Sequence, residues 1–128
     1  MAKLGVGTVA ALLALAVALV AAPAGVAKDG DIRVRGTCTS SSTSKLKLSE
    51  EDGRIEVEFE VDQNRNGVRW NVVITRNGTR VARMSRITRA PSGSFEARIV
   101  AANTSGTDVF RARATSPSGE VCTARASF

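Results

Sequence analysis

The chain has 128 residues, two cysteines and no histidine, and its 18 basic residues exceed its 12 acidic ones to give a net charge of +6. Without histidine or a C-x-x-C motif, the sequence predicts no metal site and no cofactor. Serine chemistry would need a lysine base, and no serine–lysine motif is present. We therefore expect a protein that is not an enzyme, and its positive charge favours an anionic partner.

The first 27 residues have the layout of a secretory signal peptide. One lysine precedes an unbroken apolar run at about 9–22, and small residues follow that run. Cleavage is expected after Ala27, with Ala24 as the alternative site. The segment is also long enough to cross an apolar layer of ~30 Å, so that an uncleaved membrane anchor is the competing interpretation. Cleavage would leave residues 28–128 as one secreted domain that meets a membrane only during export.

Two cysteines remain in the mature chain. Cys38 and Cys122 belong to a protein bound for an oxidising compartment, so they are expected to form a disulfide bond. Their separation in sequence corresponds to a loop-entropy gain on the order of 4 kcal/mol. The bond would tie the two ends of the domain together.

Beyond the signal peptide, the chain consists of short alternating runs. Clusters of Gly, Ser, Asn and Asp separate these runs, which is typical of an all-β sandwich or barrel. The clearest run is "RIEVEFEVD", in which apolar and acidic side chains alternate with a period of two. Strands are expected near 31–39, 44–49, 54–62, 68–76, 79–88, 94–102, 107–115 and 120–128. The pattern predicts a sandwich of seven or eight antiparallel strands.

The fourth and fifth predicted strands are joined by an Asn-Gly turn at 77–78, which favours a two-residue hairpin. In the register that this turn sets, Ile74 lies opposite Val81, and Val81 points into the core. Arg83 then turns to the same side. A short helix at 80–90 is the alternative, although arginines spaced by three would drift by ~60° per step around a helix.

Two segments resemble immunoglobulin-like and fibronectin type III-like sandwiches. Trp70 lies in the third main strand after "EVEFEVDQNRNG", and "GTDVFRARATSPSGEVCTARASF" has the form of a closing hairpin. The resemblance covers about residues 31–128 and implies an immunoglobulin-like sandwich with Trp70 as a core anchor. The chain has no tyrosine, so the tyrosine corner of such domains is absent. The disulfide bond would clamp the first strand to the last in parallel.

The chain is also similar to small secreted actinobacterial proteins of unknown function. Its fourteen arginines against four lysines agree with a GC-rich genome.

The predicted topology gives the two faces of the sandwich opposite charge. One face would be acidic through Glu56, Glu58, Glu60, Asp62 and Glu96, relieved by Arg98. The other would carry eight outward arginines, which we take as candidate ligand-binding residues: Arg33, Arg35, Arg69, Arg80, Arg86, Arg111, Arg113 and Arg125. Such a face can bind a polyanion, because guanidinium groups contact phosphate or sulfate bidentately. An ordinary solvated surface is the alternative.

These observations predict a secreted, non-catalytic extracellular binding or structural module, with an anionic cell-wall polymer or polysaccharide as its partner. Specific nucleic-acid binding is not expected, since no aromatic side chains are interleaved with the arginines. One alternative is a secreted protease inhibitor that presents the loop "RAPSGS" at 89–94. Another is self-association, in which the acidic face of one molecule docks onto the basic face of the next.

Overall fold

The computed structural model describes Gly5 and residues 30–128. The predicted signal peptide therefore lies, apart from Gly5, outside the described residues. No helix in the described ranges is long and apolar enough to span a membrane. From residue 30 onwards the chain forms nine strands: β1 (Ile32–Arg35), β2 (Thr37–Cys38), β3 (Thr43–Glu51), β4 (Arg54–Asp62), β5 (Arg69–Arg76), β6 (Thr79–Ile87), β7 (Ser94–Ala102), β8 (Val109–Thr115) and β9 (Val121–Ser127).

The strands form two sheets, and every pairing is antiparallel. A four-stranded sheet has the order β1-β3-β4-β7, and a five-stranded sheet has the order β2-β9-β8-β5-β6. The predicted antiparallel all-β sandwich is confirmed. The first predicted strand, 31–39, divides into β1 and β2, which belong to different sheets.

The core lies between the two sheets and is built from the inward half of each alternating strand. On β4 the four apolar side chains at 55, 57, 59 and 61 are fully buried, as their period of two predicts. Trp70 on β5 is also fully buried. Its indole N–H donates to Gln63 Oε1 at 3.1 Å, and its ring centroid lies 5.9 Å from that of Phe95. Trp70 is therefore the expected core anchor, with its one polar atom satisfied.

Gly36 is the point at which the chain crosses from one sheet to the other. Its backbone N–H donates to the carbonyl of Ser44 at 2.8 Å. A Cβ atom at this position would collide with the Ser44 hydroxyl and with the carbonyl oxygen of Thr123. Only glycine lets the crossing segment pass this close to both β3 and β9.

We expect Gly36→Ala to lower the free energy of unfolding by about 2 kcal/mol, since the added methyl group forces two packed backbones apart. Urea denaturation followed by tryptophan fluorescence measures this change through Trp70. Gly30→Ala is the matched control, because a Cβ there meets nothing within 4 Å. Equal stability of the two variants would contradict this account of the crossing.

A β-bulge changes the register of the β5–β6 hairpin. Arg76 pairs with Thr79 as predicted, but the register shifts between Ile74 and Thr75, so that Ile74 lies opposite Ala82. The predicted inward position of Val81 is wrong, since Val81 is 37% exposed. The shift also turns Arg83 outward, which avoids placing a charge against the core. The alternative of a helix at 80–90 is wrong as well, because β6 occupies most of that range.

The predicted disulfide bond between Cys38 and Cys122 is confirmed. The two residues lie directly opposite each other on β2 and β9, with Cα atoms 4.0 Å apart. The predicted parallel arrangement is wrong, because β2 runs antiparallel to β9 after the crossing at Gly36. The bond thus links neighbouring strands within the five-stranded sheet.

Candidate functional site

The outward side of the five-stranded sheet carries six exposed arginines, and we call this surface the arginine face. It arises because β5, β8 and β9 alternate buried apolar residues with exposed polar ones. On β8, for example, Arg111 and Arg113 are exposed between buried Phe110, Ala112 and Ala114. The six residues are Arg69, Arg80, Arg83, Arg111, Arg113 and Arg125.

The register of the sheet arranges most of these arginines in two rows across the strands. In the first row Arg125 lies opposite Arg111, Arg111 opposite Thr75, and Thr75 opposite Arg80. The second row contains Thr123, Arg113, Val73 and Arg83. Neighbouring strands are ~4.8 Å apart, and the rows are two residues apart along β5, β8 and β9, which corresponds to ~7 Å; on β6 the bulge adds one residue between them.

The guanidinium groups of the arginine face have no acidic partner in the described part of the chain. Among residues 30–128, no carboxylate oxygen lies within 4.0 Å of any of the six. Like charges directly opposite each other, as at Arg111 and Arg125, destabilise a sheet mildly. The face therefore carries a cost in folding stability that an external anion would relieve.

The four-stranded sheet presents a different surface, on which bases and acids are paired. Lys47 Nζ lies 2.8 Å from Glu58, and Lys45 Nζ lies 3.5 Å from Glu60. Arg98 contacts two carboxylates, each at 2.8 Å. The prediction of a distinctly acidic face is therefore wrong, because lysines of β3 and arginines of β1 share this surface with the glutamates of β4.

The carboxylates around Arg98 influence one another's ionisation. The hydrogen bond that Arg98 donates to Glu56, followed by the hydrogen bonds of Glu56 with Glu58 and Glu51, lowers the pKa of Glu56 to about 2. The hydrogen bond between Glu56 and Glu58, together with burial, raises the pKa of Glu58. The hydrogen bond between Lys47 and Glu58 in turn raises the pKa of Lys47. These groups satisfy one another, so most of the strand arginines that have no carboxylate partner in residues 30–128 lie on the opposite sheet.

Five of the eight predicted binding residues lie together on the arginine face: Arg69, Arg80, Arg111, Arg113 and Arg125. Arg33 and Arg35 do not, because β1 pairs with β3 in the other sheet. Arg86 is also misplaced by the prediction. The bulge puts it opposite Trp70, on the core side of the edge strand, where its Nη1 donates to the carbonyl of Ser85 at 2.9 Å.

Sequence reasoning missed Arg83 as a member of the face, because the bulge that turns it outward has no evident sequence signal. Arg35 nevertheless lies next to the arginine face. Although β1 belongs to the four-stranded sheet, Arg35 lies at the seam between the sheets and lines a depression together with Arg111 and Arg125.

Two shallow depressions flank the Arg111–Arg125 pair. The first, about 360 Å³ in volume, is lined on its far side by Arg35, Gly36 and Thr37. The second, about 400 Å³, is lined on its far side by Thr75, Asn77 and Gly78. Each depression thus combines the same guanidinium pair with small polar groups that can hydrogen bond to a ligand.

The arginine face offers charge and hydrogen bonds but no stacking surface. No aromatic side chain among the described residues lies on it, since Trp70, Phe59, Phe95 and Phe110 are buried and Phe128 packs against the core. In residues 30–128 no group of three histidine, cysteine, aspartate or glutamate side chains is arranged to hold a metal ion. The arrangement is suited to binding phosphate or sulfate groups.

No model of a known protein family matches the chain, and comparisons with curated proteins and with solved structures found no match either.

Proposed function

We propose that this protein is a secreted, non-catalytic binding module that attaches to an anionic cell-wall polymer or polysaccharide through the arginine face. The observation that carries the proposal is the contrast between the two sheets. Four of the six bases on the strands of the four-stranded sheet have a carboxylate partner within 4.0 Å, Arg35 and Arg54 being the exceptions, whereas the six arginines of the other sheet have none among the described residues. A repeating polyanion would supply the missing partners.

Secretion is part of the proposal and is supported by two independent features. The first 27 residues have a signal-peptide layout, and the Cys38–Cys122 bond is consistent with an oxidising compartment. We infer an immunoglobulin-like or fibronectin type III-like sandwich, in keeping with its two antiparallel sheets. An actinobacterial origin would fit the arginine-rich composition.

The structure gives less support to the two alternative functions, protease inhibition and head-to-tail self-association. The segment 89–94 forms a closed turn, in which the N–H groups of Arg89 and Gly93 donate back to Ser94 and Arg89, each at 2.9 Å. A protease inhibitor would need to present extended backbone at this point. Head-to-tail assembly depended on an acidic face, and the surface of the four-stranded sheet is mixed.

The first test is binding of the purified protein to heparin, dextran sulfate and isolated wall fragments, with neutral dextran as the reference. We expect retention on the anionic materials at low salt and a steep loss of retention as salt rises, because each displaced counterion adds to the salt dependence. Absence of binding to every anionic material at low salt would contradict the proposal.

Reversing two charges on β8 tests the face itself. We expect Arg111→Glu combined with Arg113→Glu to weaken binding to the best anionic material at least tenfold, since one change falls in each row. Arg65→Glu combined with Arg89→Glu is the matched control, because it alters net charge equally at exposed loop positions away from the face. Equal weakening by the two double variants would show that only net charge matters.

A further inference from the structure

We propose that the first row of the arginine face, extended by Arg35, is the binding path of one linear polyanion that lies across the strands. The inference rests on the proposed function and specifies how the face is used and what it binds. The path runs from Arg35 past Arg125 and Arg111 to Thr75 and Arg80.

The two depressions set the direction of this path. They open on opposite sides of the Arg111–Arg125 pair, one towards Arg35 and the other towards Thr75 and the β5–β6 turn. A chain that fills both must cross β9, β8 and β5 in turn. A chain running along β8 would meet Val109, Arg111 and Arg113 and could enter the second depression, but it would leave the depression beside Arg35 empty.

The crossing at Gly36 supplies the end of the path. Without a side chain, Gly36 allows the segment between β1 and β2 to lie against the backbone of β9. Arg35 immediately precedes it and lines the first depression together with Arg125, although the two residues belong to different sheets and Arg35 also lines a depression of the four-stranded sheet with Glu60 and Asp62. The third cation of this depression thus depends on a close backbone contact.

The second row is a poorer path. Val73 separates Arg113 from Arg83, and beyond Arg113 the Thr123 hydroxyl is already engaged with Thr37 at 3.2 Å. Arg69 lies further along β5, opposite Ile87 and outside both rows. These arginines add to the local potential but do not continue the line of depressions.

The chemistry of the path favours a phosphodiester polymer with small acyclic polyol units. Guanidinium groups contact phosphate bidentately, and the Thr75 hydroxyl and the amide N–H groups of Asn77, whose Oδ1 accepts from the Val109 N–H at 2.8 Å, can hydrogen bond to hydroxyl groups between the phosphates. Nucleobases need a π surface, and none is present on this face in the described part of the chain. Sugar rings would find no aromatic platform either.

The geometry also sets a minimum length. Arg125 and Arg80 lie three strand spacings apart, or ~14 Å, and Arg35 lies beyond Arg125. A single phosphate engages only part of the path. We therefore expect affinity to rise with chain length until the polymer spans Arg35 to Arg80, and to change little beyond that length.

Synthetic oligo(glycerol phosphates) of increasing length provide the test, with the full protein and isothermal titration calorimetry. Arg35→Gln and Arg80→Gln should each weaken binding of the long oligomers about five- to tenfold and reduce the slope of log Kd against log salt by about one. Arg69→Gln and Arg83→Gln belong to the face but lie off the path, so each should weaken binding by only about twofold, through the loss of local potential. Urea midpoints of all four variants should match that of the unmodified protein.

Each other outcome has a definite meaning. Equal weakening by all four variants would overturn the path while leaving the proposed function intact, because binding would then be diffuse over the face. Binding that none of the four changes, together with binding that survives the Arg111→Glu and Arg113→Glu double variant, would overturn both. Tighter binding of sulfated glycan fragments or single-stranded oligonucleotides of equal length would overturn the ligand class.

Discussion

Replacing Cys38 and Cys122 together with alanine is expected to lower the free energy of unfolding by about 4 kcal/mol. The bond joins residues separated by 84 positions, so that it constrains nearly the whole domain in the unfolded state. Loss of that constraint raises the entropy of the unfolded chain, and this entropy accounts for most of the stabilisation that a bond closing so long a loop provides. Cys38 and Cys122 lie on the core-facing side of their strands, and Cys122 is fully buried.

The folded state should also lose local order in the double alanine variant. The strand β2 has only two residues. Besides the disulfide bond, the contacts of this segment with β9 include a hydrogen bond that the Thr39 N–H donates to the Val121 carbonyl at 2.9 Å. We expect faster amide exchange in residues 36–39 than in β8. Urea denaturation measures the global change, and the unmodified protein under reducing conditions is the control that should reproduce it. A loss below about 1 kcal/mol would mean that the unfolded chain is already compact.

The positions of the strands could be predicted from the sequence, because apolar and polar side chains alternate along each strand. In "RIEVEFEVD" every second side chain is apolar and fully buried, and the turn residues between runs mark where strands end. The predicted bounds 54–62 and 94–102 coincide with β4 and β7. Local periodicity also places Arg111 and Arg113 outward without knowledge of the partners of β8.

The partners themselves could not be predicted in this way. Alternation in residues 31–39 is equally compatible with pairing to β3 or to β9, and only the close packing around Gly36 divides the run between them. Similarly, the Asn-Gly turn sets the register for the pairs nearest to it, and the bulge between Ile74 and Thr75 then shifts every pair further from the turn. These two events moved Arg33, Arg35, Arg83 and Arg86 relative to the predicted face.

A second large effect is expected at Asp108, a fully buried carboxylate immediately before β8. Its side chain accepts hydrogen bonds from the backbone N–H and hydroxyl of Thr104, and Arg76 Nε lies 4.0 Å away. Its backbone pairs with that of Phe128, which fixes the end of β9. Asp108→Ala should lower the free energy of unfolding by about 3 kcal/mol, because several charge-assisted contacts are lost at a buried site.

The dependence of this effect on pH distinguishes charge from packing. The hydroxyl and backbone hydrogen bonds from Thr104, with Arg76, lower the pKa of Asp108 below its usual 3.8 against the opposing effect of burial. A lowered folded-state pKa means that the ionised carboxylate stabilises the fold above pH 3.8 and that this contribution is lost as pH falls through the folded-state value. Asp108→Asn, which resembles the protonated form, should therefore be less stable than the unmodified protein near neutral pH. The difference should shrink as the medium becomes strongly acidic.

Urea unfolding at about pH 7 and about pH 2.5 measures both differences. Thr104→Ala is the graded control, since it removes the hydroxyl contact but keeps the backbone one, and it should cost about 1 kcal/mol. A difference between Asp108→Asn and the unmodified protein that stays constant between the two pH values would show that Asp108 acts through shape and not through its charge. Substitutions at Asp108 are expected to change stability and not binding, because Asp108 is buried immediately before β8, while Arg111 and Arg113 face outward within that strand.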